Sequence, residues 1–273
     1  MRTLGLLTMG ILAIVFFTFI FLFSFKDDTF VSKRKIVVAV LPHQDDELFM
    51  AGFLARSAIE GQEVYAVVVT DGSRSSARYI INGTDGHGTD IVCPVHKQVH
   101  HPGEEGYSEL SHQDFVAARN REFLDSAKKL GISEDHVLFL NPGGVAGSLE
   151  PYYSDGDLDE KQARLVFEDL REKLGDGVYV TVSGGHPDHV ALANGLVKAN
   201  NISDKRWFPL TPSVNDISVA LNSEELKLKR EALRVYDVWD PSQDRFAVGR
   251  HSVSDLLDTW YDTDREYYTI ESP

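Results

Sequence analysis

Two short clusters carry residue types that could do chemistry: Pro42-His43-Gln44-Asp45-Asp46-Glu47 and Gly184-Gly185-His186-Pro187-Asp188-His189. Together they offer imidazoles and carboxylates at short spacing, the ligand set preferred by a catalytic zinc that keeps one position open for water. Each has a plainer explanation. Acidic residues in a first helical turn gain about 0.3–1 kcal/mol from the helix dipole, so Asp45, Asp46 and Glu47 could simply start a helix, and Asp188 could cap another. Histidine, however, is not a favoured cap, and the plain account needs two such coincidences at once.

The elements around the clusters say where they must lie. Ile36-Val37-Val38-Ala39-Val40-Leu41 is a continuous apolar, β-branched run, as expected of a strand buried on both faces of a parallel sheet. A helical stretch follows to about Ile59, Gly61 closes it, and Val64 to Val69 reads as a second strand. Phe115 to Leu130 has helical apolar spacing and stops at Gly131. Strands at 137–140 and 178–182 are separated by a helix from about Asp157 to Leu174, with further helices from near Asp188 and over about 223–236. This βαβα order predicts a Rossmann-like α/β domain, a mostly parallel sheet flanked by helices. Both clusters then sit at C-terminal strand ends, where they can face each other across one crevice.

These motifs resemble those of the PIG-L or LmbE-like family of zinc-dependent N-acetylglucosamine deacetylases, whose signatures read His-Pro-Asp-Asp-Glu and His-Pro-Asp-His. The resemblance covers roughly residues 36 to 200. It implies that His43, Asp46 and His189 hold Zn2+, that Asp45 is the general base, and that His186 stabilises the oxyanion or acts as an acid, with Asp188 orienting His186 and keeping it protonated. Physical chemistry agrees with these roles. Two neutral imidazoles and one carboxylate leave the metal a net positive charge, which lowers the pKa of bound water toward about 7. An acid beside a ligand but free of the metal can then take the proton. One departure stands out: Gln44 replaces the usual proline, which removes a φ restraint between two expected ligands but no ligand and no base. Arg119 and Glu122 resemble an Arg-x-x-Glu segment of the family. Arg119 is a candidate substrate contact, with an i,i+3 ion pair to Glu122 as the equal alternative. Arg74, Arg78 and Lys97 are further candidates for an anionic head group, Arg74 foremost.

Asp71 to Gln113 breaks the strand–helix pattern: it is rich in Gly, Ser, His and Asn, and reads as a long lid or specificity loop leaving the second strand, with a plain disordered insertion as the alternative. Five of the ten histidines, His87, His96, His100, His101 and His112, lie in it. A second metal site is the alternative, but their spacings match no ligand pattern and carry no carboxylate at fixed register, so they read as exposed loop histidines. Cys93 is the single cysteine, which excludes an intramolecular disulfide and any Cys-rich zinc cage.

Leu4 to Phe25 carries no charge. As a helix it would span roughly 33 Å, about a bilayer core, and it lacks the short apolar region and small-x-small site of a cleaved signal. The sequence thus divides into a transmembrane anchor (1–26), a linker (27–35) and a catalytic domain (36–273). Lys26, Lys33, Arg34 and Lys35 favour the cytosolic side for that domain by the positive-inside rule, against the competing pull of Arg2. The net charge of −15 argues against nucleic acid as a partner. The expected activity is removal of the N-acetyl group from a GlcNAc conjugate, lipid-linked if the anchor serves the substrate. The alternatives are deacetylation of a diffusible GlcNAc conjugate or a catalytically silent sugar-binding module, which should have lost the base or a ligand.

Overall fold

The structure, a computed structural model, describes residues 35–140 and 153–272. The anchor expected at 1–26 lies outside the described residues. Among those residues, no helix is long and apolar enough to cross a membrane.

Among the described residues the main sheet has five parallel strands: β1 (Ile36–Leu41), β2 (Glu63–Val68), β3 (Val137–Phe139), β4 (Gly177–Ser183) and β5 (Asp204–Pro209), in spatial order β3-β2-β1-β4-β5. β1 is buried along its whole length because helices cover both sheet faces. Val37, Ala39 and Leu41 face one core with Leu54, Phe123, Phe139, Leu233 and Trp260. Ile36, Val38 and Val40 face another with Phe167, Leu170, Tyr179, Leu192 and Leu196. The first core is covered by α1 (Ala51–Ile59), α3 (His112–Lys129), α6 (Ser223–Leu233) and α7 (Val248–Asp262), the second by α4 (Glu160–Leu174) and α5 (Pro187–Lys198). Capping boxes at Ser111/Asp114, Asp159/Gln162 and Asn222/Glu225 start α3, α4 and α6, so local sequence and tertiary burial agree on where these helices begin.

Strand order reverses at β1, which has β2 on one side and β4 on the other. The crevice at such a switch point is where open α/β sheets bind ligands. Both chemistry-bearing clusters leave the sheet there.

The segment at 71–113 holds α2 (Ala77–Asn82), two isolated bridges, Thr84 with Asp90 and Val92 with Val99, and the first residues of α3. It carries a small core of its own, in which Ala77, Ile81, Tyr107 and Leu110 pack on Phe115, Phe246 and Val248. The histidines divide accordingly. His87, His101 and His112 are exposed, whereas His100 is buried and His96 half-buried, which corrects the reading of all five as exposed.

Beyond α5 the chain adds β6 (Ile217–Ala220), paired antiparallel with β9 (Arg265–Tyr268), and the short ribbon β7 (Trp239–Asp240) with β8 (Arg245–Phe246). β9 brings the buried carboxylate of Glu266 to the N-terminus of α1, where it accepts from Gly52 N–H and Phe53 N–H at 2.6 Å each. Lys229 Nζ lies 3.5 Å from it, fully buried. Burial pushes the Glu266 carboxyl up and the Lys229 ammonium down, each opposed by the other's charge.

Candidate active site

β1 ends at Leu41, and the chain enters a 3-10 turn at Asp46–Phe49 that carries the first cluster at the crevice floor. His43 N–H donates to Asp46 Oδ2 at 2.9 Å, fixing the backbone between the two. β4 ends in Gly184 and Gly185, both at positive φ, and this tight reversal delivers the second cluster to the start of α5. His186 is the N-cap of α5 and Pro187 its first residue, with His189 and Asp188 buried behind them in the first turn. The imidazole Nδ1 of His186 accepts from Asp188 N–H at 3.2 Å, so histidine does cap this helix.

Three side chains converge on one point. His43 Nδ1 lies 3.1 Å from Asp46 Oδ2, His189 Nε2 lies 3.2 Å from the same oxygen, and the two ring nitrogens are 3.3 Å apart. Ligands held at 2.0–2.1 Å by a tetrahedral zinc are spaced by about 3.3 Å, so the donor atoms already stand at the edges of such a site. The donor set, two imidazoles and a carboxylate, fits a catalytic zinc, and the far nitrogen of His189, Nδ1, is buried without a hydrogen-bond partner. Burial disfavours the charge on Asp46, but His189 and His43 hold its carboxyl far below the usual carboxylate range.

The other face of His43 meets two carboxylates. Its Nε2 is 3.3 Å from Asp155 Oδ1 and 3.4 Å from Asp188 Oδ2. Burial lowers the His43 pKa, yet Asp155, Asp188 and Asp46 together raise it well above the ordinary value. Carboxylates there keep the proton on Nε2 and leave Nδ1 as the donor. Asp188 is therefore closer to His43 than to His186, whose Nδ1 is 3.8 Å away. Its oxygens also accept from Gly156 N–H at 2.7 Å and Leu158 N–H at 3.3 Å. His186 itself is the exposed member, and burial followed by the charge of His43 pushes its imidazole below the ordinary histidine value. With Nδ1 accepting a backbone N–H, a neutral His186 presents Nε2–H outward, in contrast to the protonated form expected from the sequence. Asp155 was not singled out by sequence; burial opposes its charge, but His43 and Arg119 hold it down at about 2. Its one sequence signal is the acidic run Asp155-Gly156-Asp157 beyond the third strand.

Asp45 borders the triad and is held from behind. Arg119 Nη2 donates to Asp45 Oδ2 at 3.0 Å, and Arg119 Nη1 to Gly72 O at 2.6 Å, with both side chains buried. Arg119 does not pair with Glu122, whose carboxylate instead accepts from Val248 and Gly249 N–H at the start of α7. Gln44 Nε2 donates to Asp71 O at 3.1 Å and to Asn120 Oδ1 at 2.9 Å, tying the motif to the neighbouring strand end and to α3. Those bonds take over the restraint that a proline would have given. Gly72, at φ +60, is where these groups crowd: a Cβ there would lie 2.3 Å from Arg119 Nη1 and 2.4 Å from Gln44 Oε1. Glu47 turns away into the core, where Ser126 and Tyr236 hydroxyls donate to it at 2.5 Å each and burial pushes it up to about 8.

A cleft of about 630 Å³ opens above the triad, lined by Asp45, Arg119, Asp155, His186 and Leu210, with Arg74 to Ser76 on one wall and Ser252, Val253 and Leu256 of α7 on another. Arg74 reaches this wall but spends its guanidinium on the exposed Asp157 at 3.0 Å, a surface pair of small energetic value. Tyr153 and Trp207 are buried, and Trp239 packs on His100.

The geometry is that of a crevice whose donors could hold a metal ion, at the switch point of a Rossmann-like α/β domain. Residues 38–200 match the PIG-L family, described as GlcNAc-PI de-N-acetylase, and the chain belongs to that family. A search among curated proteins finds no match. Among solved structures, N,N'-diacetylchitobiose deacetylase from Pyrococcus horikoshii is 18% identical with TM-score 0.52, covering 91% of this chain and 88% of that one. A conserved protein from Thermus thermophilus is 17% identical with TM-score 0.51, covering 88% and 95%. The zinc-inhibited form of teicoplanin deacetylase is 15% identical with TM-score 0.51, covering 82% and 91%. These three likenesses are of fold.

Proposed function

We propose that the protein is a zinc-dependent hydrolase that removes the N-acetyl group from a GlcNAc-containing conjugate, held at a membrane by the apolar segment at 4–25. The observation that carries this reading is the convergence of His43 Nδ1, Asp46 Oδ2 and His189 Nε2 beside the buried acid Asp45. The family description and the deacetylase names of two structural neighbours support the substrate class. Zinc bound by His43, Asp46 and His189 would supply a Lewis acid and a water acidified toward about pH 7.

The chain's own groups do the rest. Asp45, clamped through one oxygen by Arg119, takes the proton of the attacking water. His186 stands at the cleft with Nε2–H outward and donates to the oxygen that becomes negative as the amide carbonyl is attacked. One such donor is commonly worth about 2.7–4 kcal/mol of barrier. Asp155 and Asp188 hold His43 by its Nε2. The departing amine takes its proton from Asp45 or His186. A lipid-linked substrate would account for the anchor, and the basic flank at 26–35 favours a cytosolic domain.

The test is release of a free amine from GlcNAc conjugates, both lipid-linked and soluble, by the zinc-loaded full-length chain. Amine release from a lipid-linked conjugate supports the reading, release only from soluble ones removes the membrane part, and none from any conjugate by zinc-bound protein removes the deacetylase itself. Protease protection of the domain in sealed vesicles of known orientation assigns its side.

A further inference from the structure

A second group of donors lies outside this cleft. Cys93, His96 and His100 come from the segment after α2, and His251 from α7, far away in sequence. Cys93 Sγ is 3.3 Å from His251 Nε2 and 3.7 Å from His96 Nδ1, and His96 Nδ1 is 3.0 Å from His100 Nε2. All four donor atoms lie within 4.8 Å of one another. Around a tetrahedral zinc, with sulfur at about 2.3 Å and nitrogens at about 2.0–2.1 Å, sulfur–nitrogen edges are about 3.6 Å and nitrogen–nitrogen edges about 3.3 Å. The two sulfur–nitrogen distances bracket the first value, and the nitrogen–nitrogen distance of 3.0 Å lies close under the second.

The surroundings prepare each donor. His251 Nδ1 donates to Ala247 O at 2.7 Å, leaving Nε2 toward the centre. His100 Nδ1 is 2.9 Å from Glu105 Oε2, again leaving Nε2 inward. A carbonyl or carboxylate behind a ligating imidazole is how such ligands are oriented. The backbone N–H of His96 donates to Cys93 Sγ at 3.2 Å, which fixes the sulfur against its own turn. Cys93, His100 and His251 are buried, and the Trp239 ring stacks on His100 with centroids 4.5 Å apart.

We propose that Cys93, His96, His100 and His251 form a second, closed zinc site of structural type, distinct from the His43/Asp46/His189 centre. Four protein donors leave no open position for water or substrate. The site staples the 93–105 segment to α7. Both parts lead into the cleft walls: Arg74, Ser75 and Ser76 precede α2, Ser252 follows His251, and Ser75 Oγ lies 3.0 Å from Ser252 Oγ. The single cysteine and the lack of any regular ligand spacing conceal this site in the sequence, because its fourth donor is supplied only by folding.

The test uses the full-length chain loaded with Co2+ in place of zinc. A thiolate-to-cobalt charge-transfer band in the near ultraviolet is expected from the parent, and it reports on this site alone because the catalytic donors include no sulfur. The band should persist in His189→Ala and vanish in Cys93→Ser. Zinc content by mass spectrometry should be two equivalents in the parent and one in either variant. A cobalt-loaded parent without the band, or one zinc equivalent in the parent that His189→Ala abolishes, overturns the second site while leaving the catalytic reading standing. Because the parent spectrum decides, a misfolded variant does not obscure the result.

Discussion

Arg119 and Asp45 form a buried pair, Nη2 to Oδ2 at 3.0 Å, across the floor of the cleft. The arginine comes from α3 and the acid from the turn after β1, so the pair joins the proposed base to a helix that packs on the sheet. An asparagine at 45 keeps an acceptor for Arg119 and loses only the capacity to take a proton. Asp45→Asn should therefore keep its zinc while turnover falls by roughly 10²–10⁴-fold. Amine-release kinetics beside metal analysis checks this, and parental turnover would remove Asp45 from the mechanism.

His189→Ala should behave in the opposite way. It deletes one of three converging donors, and the expected result is loss of the catalytic zinc together with activity. Equilibrium dialysis against zinc gives the answer, with undiminished catalytic-site affinity as the contrary outcome.

Asp155 lies 3.3 Å from His43 Nε2 and should tune metal binding without touching metal. Asp155→Asn is expected to weaken zinc affinity by roughly 10–100-fold, the usual effect of removing a carboxylate behind a ligating imidazole. A chelator competition titration measures it. An unchanged affinity would show that Asp188 alone suffices to hold the ring.

These residues also show where sequence reading succeeds and stops. The run Ile36 to Leu41 could be read because six consecutive apolar residues have few alternatives to a strand covered on both faces. His43 and His189 could be paired because each follows such a strand. Asp155 could not, since its place rests on long-range contacts with His43, Asp71 and Arg74, where no periodicity operates. The same holds for β6, mostly exposed, and for β9, largely half-buried, only four residues each. Asn82-Gly83-Thr84 has the acceptor pattern for N-glycosylation, yet Asn82 is buried, with its amide bonded to Leu110 N–H and O at 2.8 and 3.0 Å. Triplet patterns carry no information about burial.

Glu122 should make stability depend on pH. Burial pushes its carboxyl from 4.5 up to about 8, against the pull of Val248 and Gly249 N–H and of Arg119. Below the unfolded value both states hold the proton, and the contribution is complete. As pH rises between the two values the unfolded chain releases the proton while the folded one keeps it, so stability falls through this window and levels off above about 8. Urea denaturation from about pH 5 to 9 should show a smaller fall in Glu122→Gln than in the parent. Equal slopes would mean that the group titrates normally.

Glu266→Ala should destabilise the fold by about 3–5 kcal/mol, because it strands the buried Lys229 and frees two N–H groups of α1. Lys229→Met combined with Glu266→Gln, which removes both charges, should recover part of that loss in the same denaturation experiment.

The Glu266 cap also orders events in time. Gly52 and Glu266 are 214 residues apart, so during synthesis the helix that follows the catalytic turn waits for its cap until almost all of the described chain has emerged. At about 5–20 residues per second that delay is on the order of ten seconds or more. A polypeptide that has not yet reached β9 therefore carries His43, Asp45 and Asp46 without the clamp that seats the helix after them, and the ordering of that turn is tied to synthesis of Glu266.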